Sequence, residues 1–244
     1  PATMKLVMDM YAPTSTTQYP SEVIIVRHGE SELNVRKAIA ESRHQDERIL
    51  LEPIRDADVA LTDRGKEQAR STGLALGKHF PKIDVAYVSP FIRTMDTFHI
   101  MEREIGYEIP LNPEDRIRER EFGIFSQLTW YGIEKHYPQE AARLKLEGEY
   151  YYRPLGGESY PDVGLRVYNF LHSLYTHQIG RRVLVVTHAD VVQMIRKMLE
   201  RMSEAQLLEL NRTDDVYNCG VTTYHYDATI NYLKLSRYNE VFYS

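Results

Sequence analysis

The sequence predicts an α/β fold of three layers, in which a mostly parallel central sheet carries helices on both faces. Three short apolar runs, at residues 22–27, 84–88 and 182–187, have the β-branched content of buried strands. Each run stops abruptly at a turn, and segments with helical spacing follow along the chain. Repeated strand–turn–helix units of this kind are typical of sheets covered by helices on both sides.

Composition restricts the class of protein. The 244-residue chain is long enough to bury a sizeable core, so we expect a single domain over residues 21–244 after an N-terminal arm, residues 1–20. Apolar residues make up 43% and charged residues 27%, which excludes wholesale disorder. The net charge of -5 argues against a nucleic-acid partner. No apolar run approaches the roughly 18 residues that span a bilayer, so we expect no membrane partner.

The lone cysteine, Cys219, excludes an intrachain disulfide and a cysteine-rich zinc site. A single unpaired thiol is typical of a reducing compartment, so the sequence predicts a cytoplasmic protein.

The first half of the chain alternates strands and helices. The strand at residues 22–27 is followed by a charged stretch containing Pro53, which we interpret as an insertion over residues 37–60. Thr62 caps a helix that extends to about Phe80. The strand at 84–88 leads into a helix over about 91–105, and a strand-like piece ends near Leu111.

The second half continues the pattern. The pattern of residues 127–147 indicates one or two helices broken at Pro138. We interpret the region 127–157 as a lid over the site. A helix over 158–176 precedes the strong strand at 182–187, and another helix follows it. The tail from residue 218 to 244 alternates as two strands, which suggests a hairpin.

Charged and imidazole side chains follow the predicted strands. Arg27 and His28 end the first strand, Arg93 follows the second, and His188 ends the strongest. Each of these residues alone more often has a structural role. Because ligands gather at the carboxyl ends of parallel strands, the four together predict a binding site.

The four side chains suit phosphoryl transfer. A neutral imidazole can attack phosphorus, while two arginines and a second histidine neutralise the phosphoryl oxygens. Such a site also needs a proton donor for the leaving oxygen. Glu119 and Glu121 are both candidates, and neither composition nor periodicity decides between them.

Five short motifs resemble, in order and rough spacing, those of the histidine phosphatase superfamily, phosphoglycerate-mutase-like branch. They are Arg27-His28-Gly29-Glu30-Ser31 with Asn34, Ser89-Pro90 with Arg93 and Thr97, Glu119-Arg120-Glu121-Phe122-Gly123, Gly157-Glu158-Ser159, and Thr187-His188. The resemblance covers about residues 22–225 and implies a phosphoglycerate-mutase-like fold.

The resemblance also implies roles for individual residues. His28 would be the phosphorylated nucleophile, and Glu119 the general acid and then the base for water. Four residues would bind the phosphoryl group: Arg27, Asn34, Arg93 and His188. Ser31 and Glu158 would contact the substrate, or in the case of Glu158 support the pocket. The family needs no metal, and we expect no cofactor.

Departures from the mutase pattern favour a phosphatase. Phe122 stands where mutases usually have tyrosine, and the segment between Glu119 and Glu158 lacks the paired arginines that grip glycerate carboxylates. Asp190 lies two residues after His188, whereas the acid-phosphatase branch has its donor aspartate directly after the histidine.

We therefore expect a metal-independent phosphomonoesterase acting through a phosphohistidine at His28. Phosphoglycerate mutase is the alternative, and a non-catalytic module that binds a phosphorylated ligand is the second alternative. The substrate would be a small phosphorylated molecule or a phosphorylated side chain; sugar phosphates, nucleotides, phosphoamino acids and phosphoproteins stay open, as does the oligomeric state.

Overall fold

A six-stranded sheet forms the centre of the computed structural model, which describes residues 18–44 and 54–243. Its strands are β1 (Glu22–Arg27), β2 (Val85–Val88), β3 (Leu111–Pro113), β4 (Arg182–Thr187), β5 (Val221–Asp227) and β6 (Tyr232–Glu240). They are ordered β3-β2-β4-β1-β5-β6. The first four of that order run parallel, and β5 pairs antiparallel with both β1 and β6. The predicted mostly parallel sheet is confirmed.

Eight helices accompany this sheet in the described part of the chain. They are α1 (Glu32–Ser42), α2 (Asp63–His79), α3 (Ile92–Ile105), α4 (Trp130–His136), α5 (Pro138–Glu147), α6 (Tyr160–His177), α7 (Ala189–Leu199) and α8 (Glu204–Thr213). Short 3-10 helices lie at Asp56–Asp58, Asp115–Ile117 and Gly123–Phe125. None of the helices described is long and apolar enough to cross a membrane.

Two apolar cores, one on each face of the sheet, produce the three layers. Successive side chains of β1 enter opposite cores: Val23 and Ile25 pack with α6 and α7, whereas Ile24 and Val26 pack with α2 and α3. All four are at most 1% exposed. Because β1 is covered on both faces, its sequence is continuously apolar rather than alternating.

The structure differs from the sequence prediction at a few boundaries. The third strand begins at Leu111 instead of ending there, and α8 was not predicted. Pro138 is the first residue of α5, where its missing N–H costs nothing, and so it separates α4 from α5.

Much of the predicted insertion at residues 37–60 is regular: α1 continues through its first six positions, and residues 56–58 form a 3-10 helix. Residues 45–53 of the insertion, residues 1–17 of the N-terminal arm and residue 244 lie outside the described residues.

Strand register brings the three predicted clusters together. Arg27 pairs with Thr187, and Val88 pairs with Val186, so the residues after β1, β2 and β4 emerge side by side. Close backbone contact fixes the first turn, because a Cβ on Gly29 would lie 2.4 Å from the carbonyl oxygen of Gly65. Only glycine allows the two segments to approach this closely.

Candidate active site

A cavity of about 730 Å³ opens at the carboxyl ends of β1, β2 and β4. Six of the predicted site residues line it: Arg27, His28, Ser31, Asn34, Arg93 and Glu119. His188 is fully buried behind the wall, with its ring centroid 5.1 Å from that of His28. Glu158 stands outside the wall, where it contacts the segment that carries Glu119.

His28 is held rigidly and in a defined tautomer. Its backbone N–H donates to the Thr187 carbonyl at 2.9 Å, and its own carbonyl accepts from Asn218 Nδ2 at 3.0 Å. The ring Nδ1–H donates to the Gly29 carbonyl at 2.7 Å, which leaves the lone pair on Nε2. Burial, followed by the charges of Arg93 and Arg27, lowers the pKa of His28 well below its usual value. The ring is therefore neutral, with Nε2 able to attack an electrophile.

Arg93 lies against this nitrogen from the first turn of α3. Its Nε–H points at His28 Nε2 at 3.3 Å, and Phe91 packs against the guanidinium at 4.9 Å. The two terminal nitrogens form an ion pair with Asp56, with the shortest carboxylate contact at 3.1 Å. The Arg93 side chain is only 4% exposed, so this charge is fixed in place.

Two buried nitrogens in the site have no hydrogen-bond partner among the described residues: Arg27 Nε and His188 Nδ1. The other ring nitrogen of His188 lies 2.8 Å from the Ser89 hydroxyl, and Arg27 Nη1 donates to the Val216 carbonyl. Buried polar atoms normally find partners, so these two orphans beside the cavity indicate that a ligand completes the site.

Glu119 faces the same space from the irregular segment before the third 3-10 helix. One carboxylate oxygen accepts the Arg120 N–H at 3.0 Å, and the other lies 3.9 Å from His188 Nδ1. Burial, together with the charge of Asp190, raises the pKa of Glu119 to about 7, against the opposing effect of Arg93. A carboxyl group in this state can donate or accept a proton near neutral pH.

The segment carrying Glu119 is held by an ion pair between Arg166 and Glu158. Arg166 of α6 donates to the carbonyls of Arg116, Arg118 and Glu119 at 2.9, 2.7 and 3.2 Å. Its guanidinium also pairs with Glu158, which accepts the Glu121 N–H at 3.1 Å. Glu158 therefore supports the segment.

Ser31 and Asn34 form a capping box at the start of α1. Asn34 Oδ1 accepts from the Ser31 backbone N–H, the Ser31 hydroxyl and Asn218 Nδ2. The amide oxygen is thus fixed, and the Ser31 hydroxyl is committed to the cap. Binding of phosphoryl by Asn34 and of substrate by Ser31 stay predictions.

Sequence reasoning missed three residues of this arrangement: Asp56, Arg166 and Asn218. Each acts across elements distant in the chain, and 37 positions separate Asp56 from Arg93. Only Arg166 had a signal in the sequence: it lies in the helix that follows Glu158, two turns along, where the two side chains can pair. Within residues 18–44 and 54–243, no three His, Cys, Asp or Glu side chains group closely enough to hold a metal ion.

Comparison with known proteins gives a family match over most of the chain. Residues 23–239 match the model of the histidine phosphatase superfamily (branch 1). A 2,3-bisphosphoglycerate-dependent phosphoglycerate mutase from Methylobacterium radiotolerans is 31% identical over 191 residues, which cover 77% of this chain and 83% of the mutase.

Solved structures share the fold at lower identity. The α-ribazole phosphatase from Shigella flexneri superposes with a TM-score of 0.71 at 19% identity. The superposition covers 90% of this chain and 96% of the phosphatase. A mycobacterial glucosyl-3-phosphoglycerate phosphatase in complex with inorganic phosphate superposes with a TM-score of 0.66 at 21% identity. The superposition covers 91% of this chain and 98% of the phosphatase.

Proposed function

This chain belongs to the histidine phosphatase superfamily, branch 1, and from that premise we propose that it is a phosphomonoesterase acting through a phosphohistidine at His28. The observation that carries the proposal is the state of His28. A neutral ring whose Nδ1 proton is held by the Gly29 carbonyl presents its Nε2 lone pair beside Arg93. Imidazole in this state is a competent nucleophile toward phosphorus.

In the first step, the Nε2 lone pair of His28 forms a bond to phosphorus, and the bond from phosphorus to the leaving oxygen breaks. Protonated Glu119 gives its proton to that oxygen, so an alcohol departs. In the second step, the Glu119 carboxylate takes a proton from water while the water oxygen bonds to phosphorus. The phosphorus–nitrogen bond breaks, and inorganic phosphate, neutral His28 and protonated Glu119 result.

Charge on the phosphoryl oxygens is met by fixed donors. Arg27 Nε and the Nη2 N–H of Arg93 that Asp56 leaves free supply positive charge, and His188 donates through Nδ1 when the Ser89 hydroxyl donates to its Nε2. Preorganised donors of this kind stabilise a phosphoryl-transfer transition state without reorganising as the reaction proceeds.

A phosphoglycerate mutase is the second candidate, favoured by the names of the curated relatives. Mutases return the phosphoryl group to a substrate that carries a carboxylate. Arg120, which lines the leaving-group side, is engaged elsewhere: it donates to the Glu158 carbonyl at 2.9 Å and stacks on Tyr160 at 4.2 Å. This engagement supports hydrolysis over transfer. The presence of a nucleophile and an acid disfavours a purely binding module.

Part of the cavity is lined by α4 and α5, through Trp130, Ile133 and Leu144. We assign the region 127–157 as a lid that selects the leaving group and limits access of water. Trp130 is 41% exposed, so its ring can contact substrate without a core rearrangement.

The test is phosphate release from p-nitrophenyl phosphate, with and without a chelator. We expect turnover that survives chelation, and a phosphoenzyme trapped in alkali that is lost in acid. His28→Ala should abolish both, because removal of a nucleophile costs orders of magnitude in rate. His99→Ala, an exposed histidine of α3, is the matched control.

Three results would contradict the proposal: an acid-stable adduct, activity in His28→Ala, or chelation loss that zinc or magnesium restores. Formation of 2-phosphoglycerate from 3-phosphoglycerate, in excess of phosphate release, would identify the mutase instead.

A further inference from the structure

Asp56 occupies most of the hydrogen-bonding capacity of Arg93. A guanidinium has five N–H groups. The Nε–H points at His28, Nη1 donates to the backbone oxygen of Asp56 at 2.6 Å and to its Oδ1 at 3.2 Å, and Nη2 donates to Oδ2 at 3.1 Å. One Nη2 N–H is left for a phosphoryl oxygen, and the Nε–H becomes a second when His28 Nε2 bonds to phosphorus.

Phosphoryl binding therefore makes Asp56 share its counter-charge. Phosphorus bonded to His28 Nε2 lies next to Arg93, so one guanidinium then serves both the phosphoryl oxygens and the Asp56 carboxylate. The negative charge of Asp56 is offset only in part once the phosphoryl group is bound. The Asp56 side chain is only 22% exposed, so water screens that charge incompletely.

Asp56, Glu119 and Glu121 all line this cavity. The negative charge of Asp56 contributes to raising the pKa of both glutamates. Glu119 is the proposed proton donor to the leaving oxygen. Groups attached to that oxygen must therefore pass close to Asp56.

Acidic side chains outnumber basic ones over the rest of the cavity wall. With Arg27 and Arg93 facing the phosphoryl group, three basic side chains remain among the described lining residues: Lys37, Arg120 and Lys145. The acidic residues of the wall are Glu41, Asp56, Glu119, Glu121, Glu149 and Asp190. Lys37 pairs with Glu41 at 3.9 Å and Arg120 is bound to backbone carbonyls, so the exposed Lys145 is the one of these three that an anion could reach.

We propose that Asp56 is a specificity-determining residue that rejects phosphomonoesters carrying a second anionic group close to the phosphoryl group. The inference rests on the proposed function and names its substrate class: monoesters whose alcohol is uncharged or cationic. Discrimination by a repulsive charge needs no attractive contact to the preferred substrate.

The experiment compares glycerol 3-phosphate with 3-phosphoglycerate, which differ by replacement of a hydroxymethyl group with a carboxylate. The readouts are kcat/KM for phosphate release and, in the His28→Ala background, the Kd of each compound by calorimetry. The wild-type site should prefer glycerol 3-phosphate in both. Asp56→Asn should reduce the preference about tenfold, chiefly by improving 3-phosphoglycerate.

Asp58→Asn is the matched control, because Asp58 lies in the same 3-10 helix and pairs with the exposed Arg55 at 2.6 Å. It should leave the preference unchanged. An unchanged preference in Asp56→Asn, or an equal loss on both compounds, would overturn the inference and reduce Asp56 to a support for Arg93.

Failure of the proposed function gives a different result. If no phosphomonoester is hydrolysed, p-nitrophenyl phosphate included, the hydrolase proposal fails, and the Kd ratio alone decides the charge discrimination. If Asp56→Asn does not fold by circular dichroism, tighter binding of 3-phosphoglycerate than of glycerol 3-phosphate to the site with Asp56 intact overturns the inference.

Discussion

Glu119 is the residue whose chemistry depends most on the substrate. Alkyl phosphates leave as strongly basic alkoxides and need a proton, whereas p-nitrophenolate is a weak base. Positioned proton transfer contributes about 10²–10⁴-fold in rate. We expect Glu119→Gln to reduce kcat/KM for an alkyl phosphate by at least about 100-fold more than for p-nitrophenyl phosphate, measured side by side.

Two variants separate this role from its alternatives. Glu121→Gln makes the same charge change two residues away, on a side chain that does not contact His188. Arg93→Ala should reduce kcat/KM equally for both substrates, because the proposed role of Arg93 is to bind the phosphoryl group that they share. If Glu121→Gln shows the leaving-group dependence, the motif alignment is displaced by two residues. If neither does, Asp190 is the donor.

The charge of Asp190 should set the alkaline limit of the reaction. Glu119 must be protonated to act as an acid, and its pKa is raised to about 7 by burial and then by Asp190, with Arg93 opposing and Asp56 adding a smaller increase. For an alkyl phosphate, kcat/KM should therefore decline above about pH 7. Asp190→Asn removes one negative charge, lowers the pKa of Glu119 and moves the decline to lower pH.

The comparison of the two pH profiles is internally controlled, since the substrate ionises identically in both. Asp96→Asn, on the exposed face of α3, should superpose on the wild type. A decline that stays at the same pH in Asp190→Asn would show that another group limits the reaction.

Among the elements, the segment before the third 3-10 helix has no regular hydrogen bonds of its own and relies on Arg166. Arg166→Ala would leave three carbonyls and the Glu158 carboxylate without this partner. Glu158 keeps its ion pair with Arg118 at 3.0 Å, so the loss comes mainly from the carbonyls and should be about 1–3 kcal/mol. We expect a lower Tm, together with a loss of kcat/KM that is larger for alkyl phosphates, because Glu119 moves.

Arg103→Ala, which removes an exposed arginine of α3, is the control for arginine removal. Equal losses on alkyl and p-nitrophenyl phosphate, at an unchanged Tm, would mean that Arg166 does not position Glu119.

The elements also show what a sequence can and cannot predict. Both ends of β1 and β4 match the sequence prediction, because strands buried on both faces are continuously apolar. The two apolar runs stop just before His28 and His188. The helix α8 was missed because its composition is mostly polar, and Leu207 alone among its residues is buried.

Contacts between elements had no local signal. The four side chains of the proposed phosphate site could be grouped, since parallel strand ends share one edge of a sheet. The ion pair of Asp56 with Arg93 depends on the path of the chain between β1 and α2, which no periodicity encodes. Glu119 could be preferred over Glu121 only through the family resemblance.

At the scale of the whole molecule, the site sets how stability depends on pH. Burial, then the charge of Arg93, lowers the pKa of both His28 and His188 well below 6.5. Below that pH, the unfolded chain binds protons that the folded protein does not. Stability supplied by the neutral rings is thus present above pH 6.5 and is lost as the pH falls. Glu119 acts in the opposite direction, because its raised pKa favours the folded state as the pH falls from 7.

These opposing contributions predict the effect of single variants on the difference in unfolding free energy between pH 7.5 and pH 5.5, measured with urea. Each depressed histidine contributes about 1.4 kcal/mol for every pH unit below 6.5. His28→Asn should therefore shrink the difference by about 1 kcal/mol, whereas Glu119→Gln should enlarge it, because the compensating proton uptake is removed. His99→Asn, at an exposed position, should leave it unchanged. If His28→Asn leaves the difference as it is in the wild type, the ring is protonated in the folded state at pH 5.5. The lowered pKa of His28 would then be wrong, and kcat/KM should fall in acid as Nε2 gains a proton.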